Sequence, residues 1–162
     1  MTGDQVAGAV PQPALTHFAS VTVEVGEVLD LGETIDGRRR VVPIRGGSVA
    51  GNGWSGRVLD AGADFQLYPS ADTAYLTATY VIEAGDGTRL FVENKALRAG
   101  RPEDLARMVS GGTVDPSLIY FRCAPRITAA TDSAFAWVNS RLFIGSGVRT
   151  PDAVQLEFFA VD

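Results

Sequence analysis

The chain has 162 residues, 46% of them hydrophobic and 20% charged, and a formal net charge of −5. Such a chain suits one globular domain, able to bury roughly 70% of its unfolded surface, rather than a disordered segment. The acidic balance excludes the basic face that nucleic acid requires, and no apolar run approaches the roughly 20 residues of a membrane-spanning helix.

Residues 1–15, rich in small residues, glycine and proline, are expected to form a flexible arm ahead of a single domain over residues 16–162. Met1 to Pro13 carries neither a basic n-region nor a long apolar core, so the expectation is a cytoplasmic protein. Alternation begins at Phe18 and runs to Leu29, with Val21, Val23 and Val25 on one face and Thr22 and Glu24 on the other. After the turn signal Asp36-Gly37, Arg39 to Arg45 reads as a strand, interrupted at Gly46-Gly47 by a bulge. Its first residues, Arg38-Arg39-Arg40, form a basic cluster that reads as a solvated strand entrance. Gly51-Asn52-Gly53 makes a tight turn, and Ser55 to Asp60 continues as strand.

Ala74 to Glu83 and Arg89 to Arg98 flank Gly85-Asp86-Gly87, the clearest hairpin of the chain. The period then changes. Leu105, Met108 and Val109 are spaced for one helical face, with Pro102 before them and Gly111-Gly112 after, which predicts one short helix near residues 102–109. Ile119 to Arg126, Ala134 to Ile144 and Val154 to Val161 complete the strands. Short strands, glycine-rich turns and a single helix predict an all-β fold. A closed or nearly closed antiparallel β-barrel is favoured over a sandwich, because closure removes exposed strand edges.

Residues i and i+2 of a strand share a face, and polar pairs fall at that spacing. Asp64 shares a face with Gln66, Asn94 with Arg98, Tyr120 with Arg122, and Trp137 with Asn139; Arg149 follows the Gly145-Ser146-Gly147 turn. If these faces converge on a barrel interior, they form a polar pocket with aromatic walls. In that pocket Asp64 is the candidate acid or base, and Arg122 or Arg149 would hold a carboxylate, enolate or phenolate. Asn94 and Asn139 would orient a carbonyl, Arg98 would add charge, and Trp137 would stack on a flat substrate. A purely structural alternative stands beside this. Asp64 accepts turn hydrogen bonds, an Asp64–Arg122 pair closes one barrel end, Trp137 plugs the core, and Asn139 bridges strand carbonyls.

The lone cysteine, Cys123, excludes an internal disulfide, and its apolar run favours a buried inert thiol over a nucleophile activated by Arg122. With one histidine, His17, no multi-histidine metal site can be built. No metal and no cofactor are expected.

The ordered motifs Gly37-Arg38-Arg39, Pro43-Ile44-Arg45-Gly46-Gly47, Gly62-Ala63-Asp64-Phe65-Gln66, Tyr120-Phe121-Arg122, Ala136-Trp137-Val138-Asn139 and Gly147-Val148-Arg149 resemble domain-of-unknown-function family 3237, from about Phe18 onward. The resemblance implies a compact β-barrel, often a homo-oligomer, in a family without an established general activity. Phe65 replaces a usual tryptophan, Thr79 a usual arginine, and Ile127-Thr128-Ala129 a usual Phe-Glu-Thr. Those losses separate this chain from any family-wide catalytic scheme. Three functions fit the residues: a cofactor-independent lyase, isomerase or cyclase on a small carbonyl or aromatic compound, a non-catalytic metabolite-binding protein, or a structural subunit. In the last, the apolar strand around Phe158-Phe159 would serve a subunit contact.

Overall fold

The computed structural model describes residues 8–162. Residues 1–7 of the expected N-terminal arm lie outside the described residues. Nine strands form: β1 (Leu15–Val25), β2 (Leu29–Thr34), β3 (Gly37–Gly51), β4 (Ser55–Ser70), β5 (Thr73–Ala84), β6 (Arg89–Ala99), β7 (Tyr120–Thr128), β8 (Leu142–Arg149) and β9 (Ala153–Val161). Helix α1 spans Pro102–Val109, and 3₁₀ turns occupy Pro116–Leu118 and Ala136–Ser140. Among the described residues no helix is long and apolar enough to cross a membrane.

The strands run in the order β1-β9-β8-β7-β6-β5-β4-β3, and β3 returns to pair with β1. Eight antiparallel strands therefore close a barrel. β2 lies outside the ring, paired only to the first half of β3. The sequence reading ran the first strand through to Leu29. Here Gly26 breaks it instead: its N–H bonds back to the Pro43 carbonyl at 2.9 Å, and β2 begins separately. Ala14 and Asp162 exchange backbone hydrogen bonds of 2.9 and 2.8 Å, and β1 begins at Leu15.

Closure requires sharp bends, and glycine supplies them. The β3–β4 register shifts between Pro43 and Gly47, opposite a shift on β4 between Val58 and Gly62. Gly47 and Gly62 have φ of +145° and +127°. A Cβ on either would run into a neighbouring strand's carbonyl oxygen, that of Thr22 or of Thr79. Two backbones approach so closely there that only a residue without a side chain fits.

One parity of each strand fills the interior. Leu76, Tyr80 and Ile82 of β5, Leu90 and Val92 of β6, Phe121 and Ile127 of β7, and Leu156 and Phe158 of β9 are all buried. The two ends differ. At one, Phe18, Trp54, Phe135, Trp137 and Phe143 pack with ring centroids 4.9 to 6.1 Å apart. The segment carrying Trp137 and Asn139 is a 3₁₀ turn rather than the expected strand. It crosses the barrel end between β7 and β8, burying Phe135 and Val138 three residues apart, a spacing that a short apolar run does not betray as turn or strand. At the other end the interior is polar, and β8 runs from one to the other, from Phe143 to Arg149.

Replacing Gly62 with alanine is expected to cost about 2–4 kcal/mol in urea unfolding, since strain and a backbone clash combine. Gly87→Ala, at φ +89° but with nothing within 4 Å of the new carbon, should cost only about 1 kcal/mol. Equal costs at the two positions would remove the close-approach explanation.

Candidate functional site

The polar end is built by register. Val42, Asp64, Ala78, Asn94 and Pro125 lie on one row across five strands, and Arg40, Gln66, Leu76, Ala96 and Cys123 on the next. The small side chains of Ala78 and Ala96 leave space beside Asp64, Gln66 and Asn94. Arg98 comes in from β6 next to Ala74 and Phe121, and Arg149 from the end of β8. Asp64, Gln66, Tyr80, Asn94, Arg98 and Arg149 all line one interior cavity, with about 40 Å³ open to the centres of water-sized groups. That is room for roughly three such groups.

A directed hydrogen-bond chain runs along the wall. Arg98 Nη2 donates to Tyr68 Oη at 2.6 Å, Tyr68 Oη donates to Gln66 Oε1 at 3.3 Å, and Gln66 Nε2 donates to Asp64 Oδ2 at 2.8 Å. A guanidinium only donates and a carboxylate oxygen here accepts, so the chain has one direction, and each bond polarises the next. It fixes Asp64 Oδ2 and leaves Oδ1 without a partner among the described residues.

Among the described residues four enclosed side-chain atoms have no partner: Asp64 Oδ1, Tyr80 Oη, Asn94 Oδ1 and Arg98 Nε. All four belong to residues of the same cavity wall. An unmet buried polar atom costs on the order of 1–3 kcal/mol, and four of them lie on residues around one small space. Two are donors, the Tyr80 hydroxyl and Arg98 Nε–H. Two are acceptors, Asp64 Oδ1 and Asn94 Oδ1.

Charge at this end is unbalanced. Burial pushes the Asp64 carboxyl above the ordinary range, against the opposing pull of the Gln66 hydrogen bond and the Arg98 and Arg149 charges. Burial lowers Arg149, and the like charges of Arg98 and Arg40 add to that. One carboxylate with a weakened hold on its charge thus faces two guanidinium groups, those of Arg98 and Arg149, while Arg40 acts on Arg149. Burial also raises Tyr80, and it raises the Cys123 thiol to about 11 despite a hydrogen bond from Asn94 and the nearby Arg122 charge. Cys123 is accordingly a neutral buried thiol and not an activated nucleophile. Among the described residues no group of three or more His, Cys, Asp or Glu side chains could hold a metal ion.

Of the residues singled out from sequence, Asp64, Asn94, Arg98 and Arg149 line the cavity together. Arg122, Trp137 and Asn139 do not. Arg122 is on the outer face of β7, donating to the Phe121 carbonyl at 2.9 Å and lying 5.3 Å from the Tyr120 ring, so no Asp64–Arg122 pair forms. Phe121 and Cys123 hold the inward positions of that strand, the apolar parity, and the arginine is left outside. Trp137 packs on Phe18 and Phe143 in the aromatic end. Asn139 clamps the Ala129 backbone, Nδ2 donating to its carbonyl at 2.9 Å and Oδ1 accepting from its N–H at 2.8 Å.

Tyr80 lines the cavity, and Tyr68 and Arg40 stand beside it, although alternation alone marks Tyr80 as packing and Arg40 as solvated and does not single out Tyr68. The signal was present for two of them. Tyr68 continues the Asp64 and Gln66 parity, and Arg40 shares parity with the apolar Val42 and Ile44.

Asp64→Asn should stabilise the protein at neutral pH. A carboxyl raised by burial has its full stability contribution below the unfolded value of about 3.9 and loses it as pH rises through the higher folded value. The variant is therefore expected to melt above the wild type at pH 7, with the gap closing toward pH 3; a wild type that melts higher at pH 7 would show that the carboxylate is well compensated. Asn139→Ala should cost about 1–3 kcal/mol through the two lost backbone bonds, whereas Arg122→Ala should change stability by no more than about 0.5 kcal/mol. Denaturant titration of both variants separates the clamp from the surface group.

The family model described as "Protein of unknown function (DUF3237)" matches residues 13–161. A UPF0311 protein of Rhodopseudomonas palustris (strain TIE-1) is 41% identical over 145 residues, spanning 90% of this chain and 94% of the relative. The crystal structure of a conserved protein of unknown function from Rhodopseudomonas palustris superposes with a TM-score of 0.88 at 37% identity, covering 94% of this chain and all of the other. An enzyme from Penicillium herquei has a TM-score of 0.68 at 18% identity over 96% of this chain and 99% of its own, a likeness of fold alone. By the extent of the model match and the identity of its relatives, the chain is a member of the DUF3237 family of β-barrel proteins of unknown function.

Proposed function

We propose that the polar end of the barrel binds a small carbonyl compound bearing negative charge, or able to form an enolate, and moves a proton on it without a cofactor. The observation that carries this reading is the convergence of four unpartnered polar atoms, two donors and two acceptors, on one enclosed cavity with an excess of guanidinium charge. A guest that satisfies them offers an oxygen to Tyr80 and Arg98 and a proton to Asp64 or Asn94. Hydroxy acids, enols and hydroxy-carbonyl compounds have that pattern.

The chemistry follows from the chain of hydrogen bonds. Asp64 Oδ1, when ionised, takes a proton from the carbon beside the carbonyl. The C–H bonding pair forms a C=C bond and the carbonyl π pair moves onto the oxygen, whose charge Arg98, Arg149 and the Tyr80 hydroxyl stabilise. Return of the proton at a second atom is isomerisation, loss of a group from the adjacent carbon is elimination, and attack within the molecule is cyclisation. The raised Asp64 carboxyl suits both the acid and the base half of such a cycle. The lone neutral thiol agrees with a reducing compartment, and cytoplasmic placement belongs to the same proposal. The Penicillium herquei enzyme adds only that a barrel of this kind can carry catalysis.

A binding protein without turnover is the second reading. Its support is the Gln66 bond to Asp64 Oδ2, which holds the carboxyl in one orientation as a pure ligand group would be held.

Deuterium exchange tests both. Protein in D₂O with pyruvate, 2-oxobutanoate or hydroxyacetone should accelerate loss of the C–H proton signal, and Asp64→Asn should slow that exchange by about 10²-fold or more. Arg149→Gln should weaken binding more than it slows exchange. Binding with no exchange in either protein would leave the second reading; no binding of any probe would remove both.

A further inference from the structure

Tyr68 faces two spaces. Its hydroxyl belongs to the inner chain from Arg98 to Asp64, while the residue also lines a groove of about 510 Å³ beyond the barrel rim. That groove, an order of magnitude larger than the inner cavity, lies between the β2–β3 hairpin, the β4–β5 turn and helix α1. Helix α1 supplies hydrocarbon from Leu105, Ala106 and Val109, the last an apolar side chain left 39% exposed.

The charges in the groove are arranged unevenly. Asp30 and Glu33 both face Arg38, with Asp30 in direct contact and Glu33 at 3.9 Å. Arg40 has no ion pair among the described residues, and its guanidinium lies 5.9 Å from the Tyr68 ring centre. Its charge also reaches Arg149 inside the barrel. The groove therefore offers an apolar wall on one side, and on the other the acids Asp30 and Glu33 beside Arg38, with Arg40 opposite Asp30 and near the Tyr68 ring.

We infer that this groove is the outer half of the ligand site. It takes a flat or apolar body, while a carboxylate or carbonyl head passes along the Tyr68 ring to Arg98, Arg149 and Asp64. The inference rests on the interior reading above and narrows its substrate class: the inner cavity holds about three atoms of a guest, so an aryl or arylalkyl acid or ketone fits both spaces where a bare two-carbon acid fills only one. Tyr68 is then a specificity-determining residue, since its ring fixes where head ends and body begins.

The test is a pair of titrations followed by ¹H–¹⁵N NMR, with acetate as the head alone and 4-phenylbutanoate as head and body. Wild-type protein should bind 4-phenylbutanoate at least tenfold more tightly than acetate, with shifts both at Asn94 and Gln66 and along α1. Ala106→Trp, on the exposed side of the helix, fills the groove and should erase the difference without altering acetate binding. Val109→Lys should weaken the longer probe in the same sense without adding comparable bulk, which guards against a misfolded tryptophan variant. Equal wild-type affinity for the two probes overturns the two-part site, as does a longer probe unaffected by both variants or one that shifts only the groove. If neither probe shifts Asn94 or Gln66, the interior reading itself fails, whatever the groove does.

Discussion

β3 pairs with β4 along one edge and with both β2 and β1 along the other, and the return to β1 converts an open sheet into a closed wall. That return depends on two points where backbones nearly touch, Gly47 against Thr22 and Gly62 against Thr79. Everything functional follows from the bends made there. Gly62 stands two residues before Asp64, so the bend that closes the barrel also sets the parity by which Asp64, Gln66 and Tyr68 turn inward. A closed wall excludes bulk water, and exclusion of water is what raises the Asp64 carboxyl and makes each unmet donor or acceptor costly.

The two barrel ends divide the labour. The aromatic end is satisfied by itself: five rings pack edge to face or tilted, and Asn139 completes the backbone of the crossing segment. The polar end is less fully paired. Its single hydrogen-bond chain meets some of the side-chain groups and leaves four atoms without partners. Proteins tolerate such local deficits where a ligand or a reaction gains from them, and they are held in place by well-packed structure elsewhere. The position of the deficit, below an accessible groove and beneath a rim of arginines, agrees with a binding end and a supporting end in one small barrel.

Much of this was legible one strand at a time. Asn94 and Arg98 have the parity of Leu90 and Val92, residues that belong inside, so β6 could be read correctly from its own alternation. The same rule applied to β7 puts Phe121, Cys123 and Ile127 inside and Arg122 outside. Arg122 was singled out for its chemistry against the pattern of its own strand, and the pattern prevailed because burying an arginine in place of Phe121 would cost far more than exposing it. Tyr80 illustrates the converse. Its burial was legible, but its unpartnered hydroxyl was not, since the nearness of other groups is a property of neighbouring strands.

The sequence by itself determined the all-β class, the short helix, the central hairpin and which polar residues share a face, because period 2, period 3.6 and turn chemistry are local properties of the chain. Tertiary structure alone decided the rest: that β3 closes onto β1, that β2 leaves the ring, that residues 136–140 turn instead of extending, and that Tyr68 links Arg98 through Gln66 to Asp64. Those outcomes depend on register between segments far apart in sequence, where a shift of one residue reverses every side chain, and no local pattern records that register.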